Sequence, residues 1–151
     1  MVLYSLSVPS IHLSKLPPWA TELLESARIA RLGLLDLDQG PRVLPVTFAV
    51  ASGAIWSAID RKPKSTSEPA RLRFLRNDPR VALTVDRYSD DWGELAWVQI
   101  LGRVEILDAG DATDGLAALG AKYEPYRDAP PPGPVLRLDP RRCLHWRAAD
   151  A

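Results

Sequence analysis

The chain has 151 residues, 46% of them hydrophobic and 25% charged, and nineteen basic side chains balance nineteen acidic ones. That length suits one domain around a single core, and neutrality argues against a general nucleic-acid binder, whose phosphate contacts usually require a basic domain. A lone cysteine, Cys143, excludes an internal disulfide framework and a cysteine-built zinc site, and no run approaches the ~20 apolar residues of a membrane helix, so a soluble, cytoplasmic protein is expected.

Residues 1–16 read as an N-terminal extension of one domain spanning 1–151. "PPWATELLESARIARL" opens on prolines suited to a helix first turn and continues with apolar residues at helical spacing, which predicts a helix over about 17–31. "RLGLLDLDQGPRVLPVTFAVASGAIWSAI" holds three β-rich runs separated by "DQGP" and "ASG", the pattern of a three-stranded meander. "SEPARLRFLRNDP" predicts a short helix with Leu72 and Leu75 on its buried stripe and Arg73 and Arg76 on its solvated side. "RVALTVD" and "LAWVQILGRVEIL" form a second hairpin, the latter long enough to bend at Gly102. "DATDGLAALGAKY" is a helix with aspartates in its first turn, where they complement the dipole. "EPYRDAPPPGP" is too proline-rich for regular structure, and "PVLRLDPRRCLHWRA" reads as two short strands broken at Asp139-Pro140. About seven strands with helices at the margins suggest a small antiparallel barrel, a form that removes exposed sheet edges.

Catalytic motifs are scarce. His12 and His145 are the only histidines and neither has metal-ligand spacing or a nucleophile beside it; His145 reads as structural or surface. No metal is expected. Phosphate-loop, dinucleotide, zincin and serine-hydrolase patterns are all missing, so any hard chemistry would come from a cofactor. The main clue is charge: from Arg61 to Arg80 lie Arg61, Lys62, Lys64, Arg71, Arg73, Arg76 and Arg80, opposed only by Glu68 and Asp78. A loop between a strand and a helix that presents Ser57, Arg61, Lys62, Lys64, Ser65 and Thr66 combines cations, hydroxyls and the positive end of a helix, a set suited to phosphate. Trp56 and Trp97 fall in strands as core or interface material, with a flat cofactor as an alternative neighbour. Asp90, Asp91 and Trp92 sit in a polar turn.

The run "ARIARLGLLDLDQGPRVLPVTFAV", "GAIWSAIDRKPK", "LRFLRNDPRVALTVD", "DDWGELAWVQILGRVEIL", with "DRKPK" and "LRNDPRVAL" its most specific pieces, resembles the flavin and deazaflavin oxidoreductases of the pyridoxamine-phosphate-oxidase-like superfamily, and within it the F420-dependent subgroup. The resemblance spans about residues 20–147. It implies an FMN-binding-type split β-barrel, mainly β with flanking helices, assembled as a homodimer with two cofactor sites lined by both subunits. It further implies that Pro45, Val46 and Thr47 run along the cofactor ring, that Ser57, Ala58 and Ile59 contact it as the next strand ends, and that Lys62 and Lys64 hold its phosphate with Arg61 as a third contact. Trp97 matches a ring-edge position supplied by the partner subunit. "AWVQILG" replaces the Arg-Gln pair of true pyridoxamine-phosphate oxidases and the tail "RAADA" lacks their arginine pattern, which argues against vitamin B6 oxidation. The resemblance thus implies coenzyme F420, whose phospholactyl and oligoglutamate tail suits a long basic groove, with FMN as the alternative, and a small organic substrate. A haem carrier and an anionic-polymer binder are the non-catalytic alternatives, the first limited by having only His12 and His145 as axial ligands. Neither nucleic acid nor membrane is an expected partner.

Overall fold

The computed structural model describes residues 11–59 and 68–151. Seven strands, β1 (Ala30–Leu35), β2 (Pro41–Val46), β3 (Ala49–Ala51), β4 (Ala54–Ala58), β5 (Arg80–Arg87), β6 (Ala96–Leu107) and β7 (Val135–Arg147), form one antiparallel sheet in the order β2-β1-β5-β6-β7-β4-β3. Four helices flank it: α1 (Pro18–Ser26), α2 (Ala70–Asn77), α3 (Thr113–Lys122) and α4 (Glu124–Asp128).

The sheet curls on itself. Leu32, Val46, Ile55, Ser57, Leu83, Val104, Leu136 and Leu138, from six different strands, surround one shared interior whose residual void is about 10 Å³. Its two ends, β2 and β3, are separated in sequence by Thr47 and Phe48 alone, so these two residues carry the chain from one edge of the sheet to the other. The seam is therefore closed by the chain itself, without a ladder between β2 and β3. This is the split of the barrel.

Four sequence expectations change. The first helix stops at Ser26, and Ala30, Leu32 and Leu34 point into the core at the two-residue period of a strand. The expected meander is instead two hairpins, β1–β2 and β3–β4, at opposite ends of the sheet. "EPYRD" is a short helix, with Pro125 in the first turn where a missing N–H costs nothing. The last segment is one thirteen-residue strand: Pro140 pairs with Gly102 and Arg142 with Leu101, so Arg141 is accommodated as a bulge. Gly102 makes this possible, because a Cβ there would stand 2.2 Å from the Asp139 carbonyl oxygen. The bend expected at Gly102 is this bulge.

Two apolar layers hold the fold. The larger fills the barrel and extends under α1 and α2, joining Leu23, Leu24, Leu72 and Leu75 to Leu83, Val85, Val98 and Ile100. The smaller lies on the outer side of β3, β4 and the first half of β7, where Ala49, Trp56, Ala58 and Val135 meet Leu119 and Tyr123 of the α3 side. Gly115 lets α3 press onto the Trp56 ring, since a Cβ there would fall 2.2 Å from the indole. His145 packs edge-on against Trp19 at 5.5 Å, which matches its expected structural role. No helix among the described residues is long and apolar enough to cross a membrane.

Candidate cofactor site

The split brings the expected contact strands together. β3 pairs with β4 only as far as Trp56, so Ser57, Ala58 and Ile59 run on past the end of β3 toward the place where Thr47 and Phe48 cross. Pro45–Thr47 and Ser57–Ile59 thus meet at one mouth of the barrel. Pro45 is exposed and faces outward, whereas Val46 points into the interior. The side chains of Ala58 and Ile59 are buried in the two cores and Ser57 is 8% exposed, which leaves the backbone beyond β3 as the means by which this strand would meet a ligand. Arg61, Lys62 and Lys64 follow directly in sequence and lie outside the described residues.

The crossing residues are held from a distant part of the sequence. The Tyr123 hydroxyl accepts the Phe48 N–H at 3.0 Å, and its own proton is shared between the carbonyls of Phe48 at 3.0 Å and Arg28 at 2.8 Å. One phenol satisfies backbone groups that the missing ladder would have paired. Burial raises the pKa of this phenol, which keeps it protonated and able to donate. Tyr126, one turn further on, forms a 2.8 Å hydrogen bond with the Thr47 hydroxyl. Lys122 donates to the Leu24 carbonyl at 3.2 Å and stands 3.8 Å from the centre of the Phe48 ring. Burial, aided by the nearby Arg28 charge, lowers its pKa to about 8. Sequence reasoning did not name Tyr123, Tyr126 or Lys122 as cofactor-site residues, although "KYEPYRD" with two tyrosines three apart was a usable signal.

Trp97 lies on the same outer face of the sheet as Pro45 but on β6, three strand spacings or about 14 Å away. The register explains what lies between them. Residues directly opposite in antiparallel strands share a face, so Pro45, Arg31, Thr84, Gln99 and Leu144 form one outward row and Val43, Gly33, Ala82, Leu101 and Arg142 the next. Asp86, Trp97 and Trp146 continue the pattern toward the mouth. None of these residues belongs to either core, and Val43 is 71% exposed. The chain presents a broad, largely apolar sheet face with small residues at its centre.

The barrel interior holds no organic ligand, because its void admits at most about one water. A surface cavity of about 340 Å³ lies elsewhere, between the β3–β4 turn and the start of α3, where Asp111, Asp114 and Asp139 share its wall with Arg137. Arg137 is already paired with Glu105 at 2.7 Å and Asp139 at 3.2 Å, so its charge is spent within the protein. The described residues contain no cluster of three potential metal ligands.

A model of the pyridoxamine 5'-phosphate oxidase family matches residues 16–147, nearly the whole chain. The chain belongs to that family. Among solved structures it is similar to a conserved hypothetical protein of Mycobacterium tuberculosis, with 23% identity, TM-score 0.68 and coverage of 85% of this chain and 82% of that one. It is similar to a FAD-binding protein of Mesorhizobium loti at 20% identity and TM-score 0.63, covering 86% and 94% of the two chains. It is also similar to the haem storage protein HutZ of Vibrio cholerae, at 16% identity, TM-score 0.68 and coverage of 87% and 94%. No curated protein matches the sequence. At these identities the neighbours establish the fold, a mostly β, seven-stranded sheet with flanking helices, and the resemblance seen in the sequence holds at the level of the family.

Proposed function

We propose that the protein is an F420-dependent oxidoreductase that transfers a hydride between the deazaflavin and a small organic substrate, acting as a homodimer. The observation that carries this reading is the mouth of the split, where the ends of β2 and β4 converge and lead straight into "DRKPK". The coenzyme supplies the hydride chemistry when bound. The protein binds and orients it: Lys62 and Lys64, with Arg61, anchor its phosphate, and the Pro45–Thr47 backbone backs its ring. Tyr126 fixes the Thr47 hydroxyl at the ring's edge.

A second copy would cover the open sheet face. A two-fold partner seated on the outer surface that carries Val43, Gly33, Ala82, Leu101, Trp97 and Trp146 would bring its own Trp97 to the distant Pro45 strand.

FMN is the second reading, supported by a structural neighbour described as FAD-binding. Haem is a third, raised by the haem storage neighbour, but the ligand supply here is poor. His12 Nδ1 is 2.9 Å from the Ser14 hydroxyl and accepts the Ser14 N–H, and His145 packs against Trp19, so both imidazoles are engaged within the protein.

Titration of the purified protein with F420, FMN and haem at moderate salt tests the set. Tight F420 binding with weak FMN binding is the expected result, and binding of FMN or haem alone would overturn it. Lys64→Ala should then weaken F420 binding by about 1.5–3 kcal/mol, the range for a hydrogen bond to a charged group. Unchanged affinity in the folded variant would remove Lys64 from the site.

A further inference from the structure

One continuous polar stripe crosses the open face, between rows that also carry Arg142 and Asp86. Arg31, Thr84 and Gln99 occupy successive strands of the row that begins at Pro45, and the Gln99 amide donates to the Thr84 hydroxyl at 3.4 Å. Arg31 stands directly opposite Pro45 on the neighbouring strand, so the two side chains project from the same face at adjacent positions. The guanidinium leans toward the mouth, where it pairs with Asp86 at 3.7 Å. That pair is loose and its side chains are 56% and 48% exposed, which makes it a weak interaction in water. Covering this face with a second subunit would strip water from a guanidinium with several donors still to satisfy. An arginine in that position needs an oxyanion, and a ligand backed by Pro45 lies beside it.

Resting on the cofactor reading above, we infer that Arg31 is a ligand-contacting residue of the same site that binds an oxyanionic edge of the bound cofactor. Two parts of a deazaflavin offer this chemistry, the electron-rich pyrimidine edge of the ring, most negative when the ring is reduced, and the carboxylates of its tail. Asp86 competes for the same guanidinium. Its carboxylate holds Arg31 near the mouth in the free protein and gives it up on binding, so the two residues act on affinity with opposite sign.

The test is the affinity of wild type, Arg31→Gln, Arg31→Lys and Asp86→Asn for oxidised F420, reduced F420 and a deazaflavin lacking the glutamate tail, with the sedimentation of each variant recorded. Arg31→Gln should bind at least about tenfold more weakly, as expected for loss of a charge-assisted hydrogen bond, Arg31→Lys should recover part of the loss, and Asp86→Asn should bind as tightly as wild type or more so. A loss largest for the reduced cofactor assigns the contact to the ring edge, and a loss confined to the glutamylated cofactor assigns it to the tail. Equal weakening in Arg31→Gln and Asp86→Asn would reveal a structural ion pair and overturn the inference, as would wild-type affinity in Arg31→Gln or a loss that tracks subunit dissociation. Those results leave wild-type F420 binding intact. A wild type that binds no deazaflavin overturns the cofactor reading and this inference with it.

Discussion

Tyr123 has the most demanding task of any single side chain here. Its hydroxyl serves the N–H and C=O of Phe48 and the C=O of Arg28 where the sheet has no ladder to do so, and the residue is 7% exposed. Tyr123→Phe keeps the ring and removes the hydroxyl, leaving buried backbone groups without their partner. The expected cost is about 1–3 kcal/mol of folding stability, read from denaturant midpoints at constant m-value. A change below a few tenths would mean that the crossing is held by packing alone. Residue-level legibility was uneven for a related reason. Gly102 signalled its bend because glycine in a strand carries positional meaning. The tyrosines did not signal theirs, because their partners lie 75 and 79 positions away.

At the scale of elements, local pattern located nearly every strand and misread what joined them. "RVLPVTFAV" is an unbroken β-rich run, and nothing within it marks Thr47 and Phe48 as the place where the sheet ends and restarts. That break is set by the curl of the whole sheet. Asp139-Pro140 misled in the other direction, since a proline without an N–H suggested a strand end whereas a bulge opposite a glycine absorbed it. α3 carries a consequence for pH. Lys122, near its end, has a folded-state pKa of about 8, below the ordinary lysine value of the unfolded chain. Between those values the unfolded state binds more protons than the folded one, so this group makes stability rise as pH increases from about 8 toward 10. Stability measured across that range should climb in the wild type relative to Lys122→Met. Parallel curves would show that the amine titrates normally.

For the whole molecule, the family and the barrel were legible because hydrophobic alternation and "LRNDPRVAL" survive without any partner present. A dimer was an expectation of the resemblance alone, since no spacing rule reveals that β2, β1, β5, β6 and half of β7 have a face that belongs to neither core. A charge at the centre of that face tests it. Ala82→Arg places a long cation between Gly33 and Leu101, and sedimentation should report a dimer for the wild type and a monomer for the variant. Both should keep the same far-ultraviolet circular dichroism. A wild type that sediments as a monomer would leave the face without its proposed partner and Trp97 without its route to the ring.

The order of the strands also governs how the molecule can be made. β3 and β4 hydrogen-bond to the rest of the sheet through β7 alone, and β7 is the last strand in the sequence. On the ribosome, β2-β1-β5-β6 can pair as they emerge, but the β3–β4 hairpin between them must wait, tethered by Thr47 and Phe48, until Val135–Arg147 has been synthesised. The seam that frames the proposed cofactor mouth is therefore the last part of the barrel to close, and a nascent chain that lacks its C-terminal strand has no completed mouth.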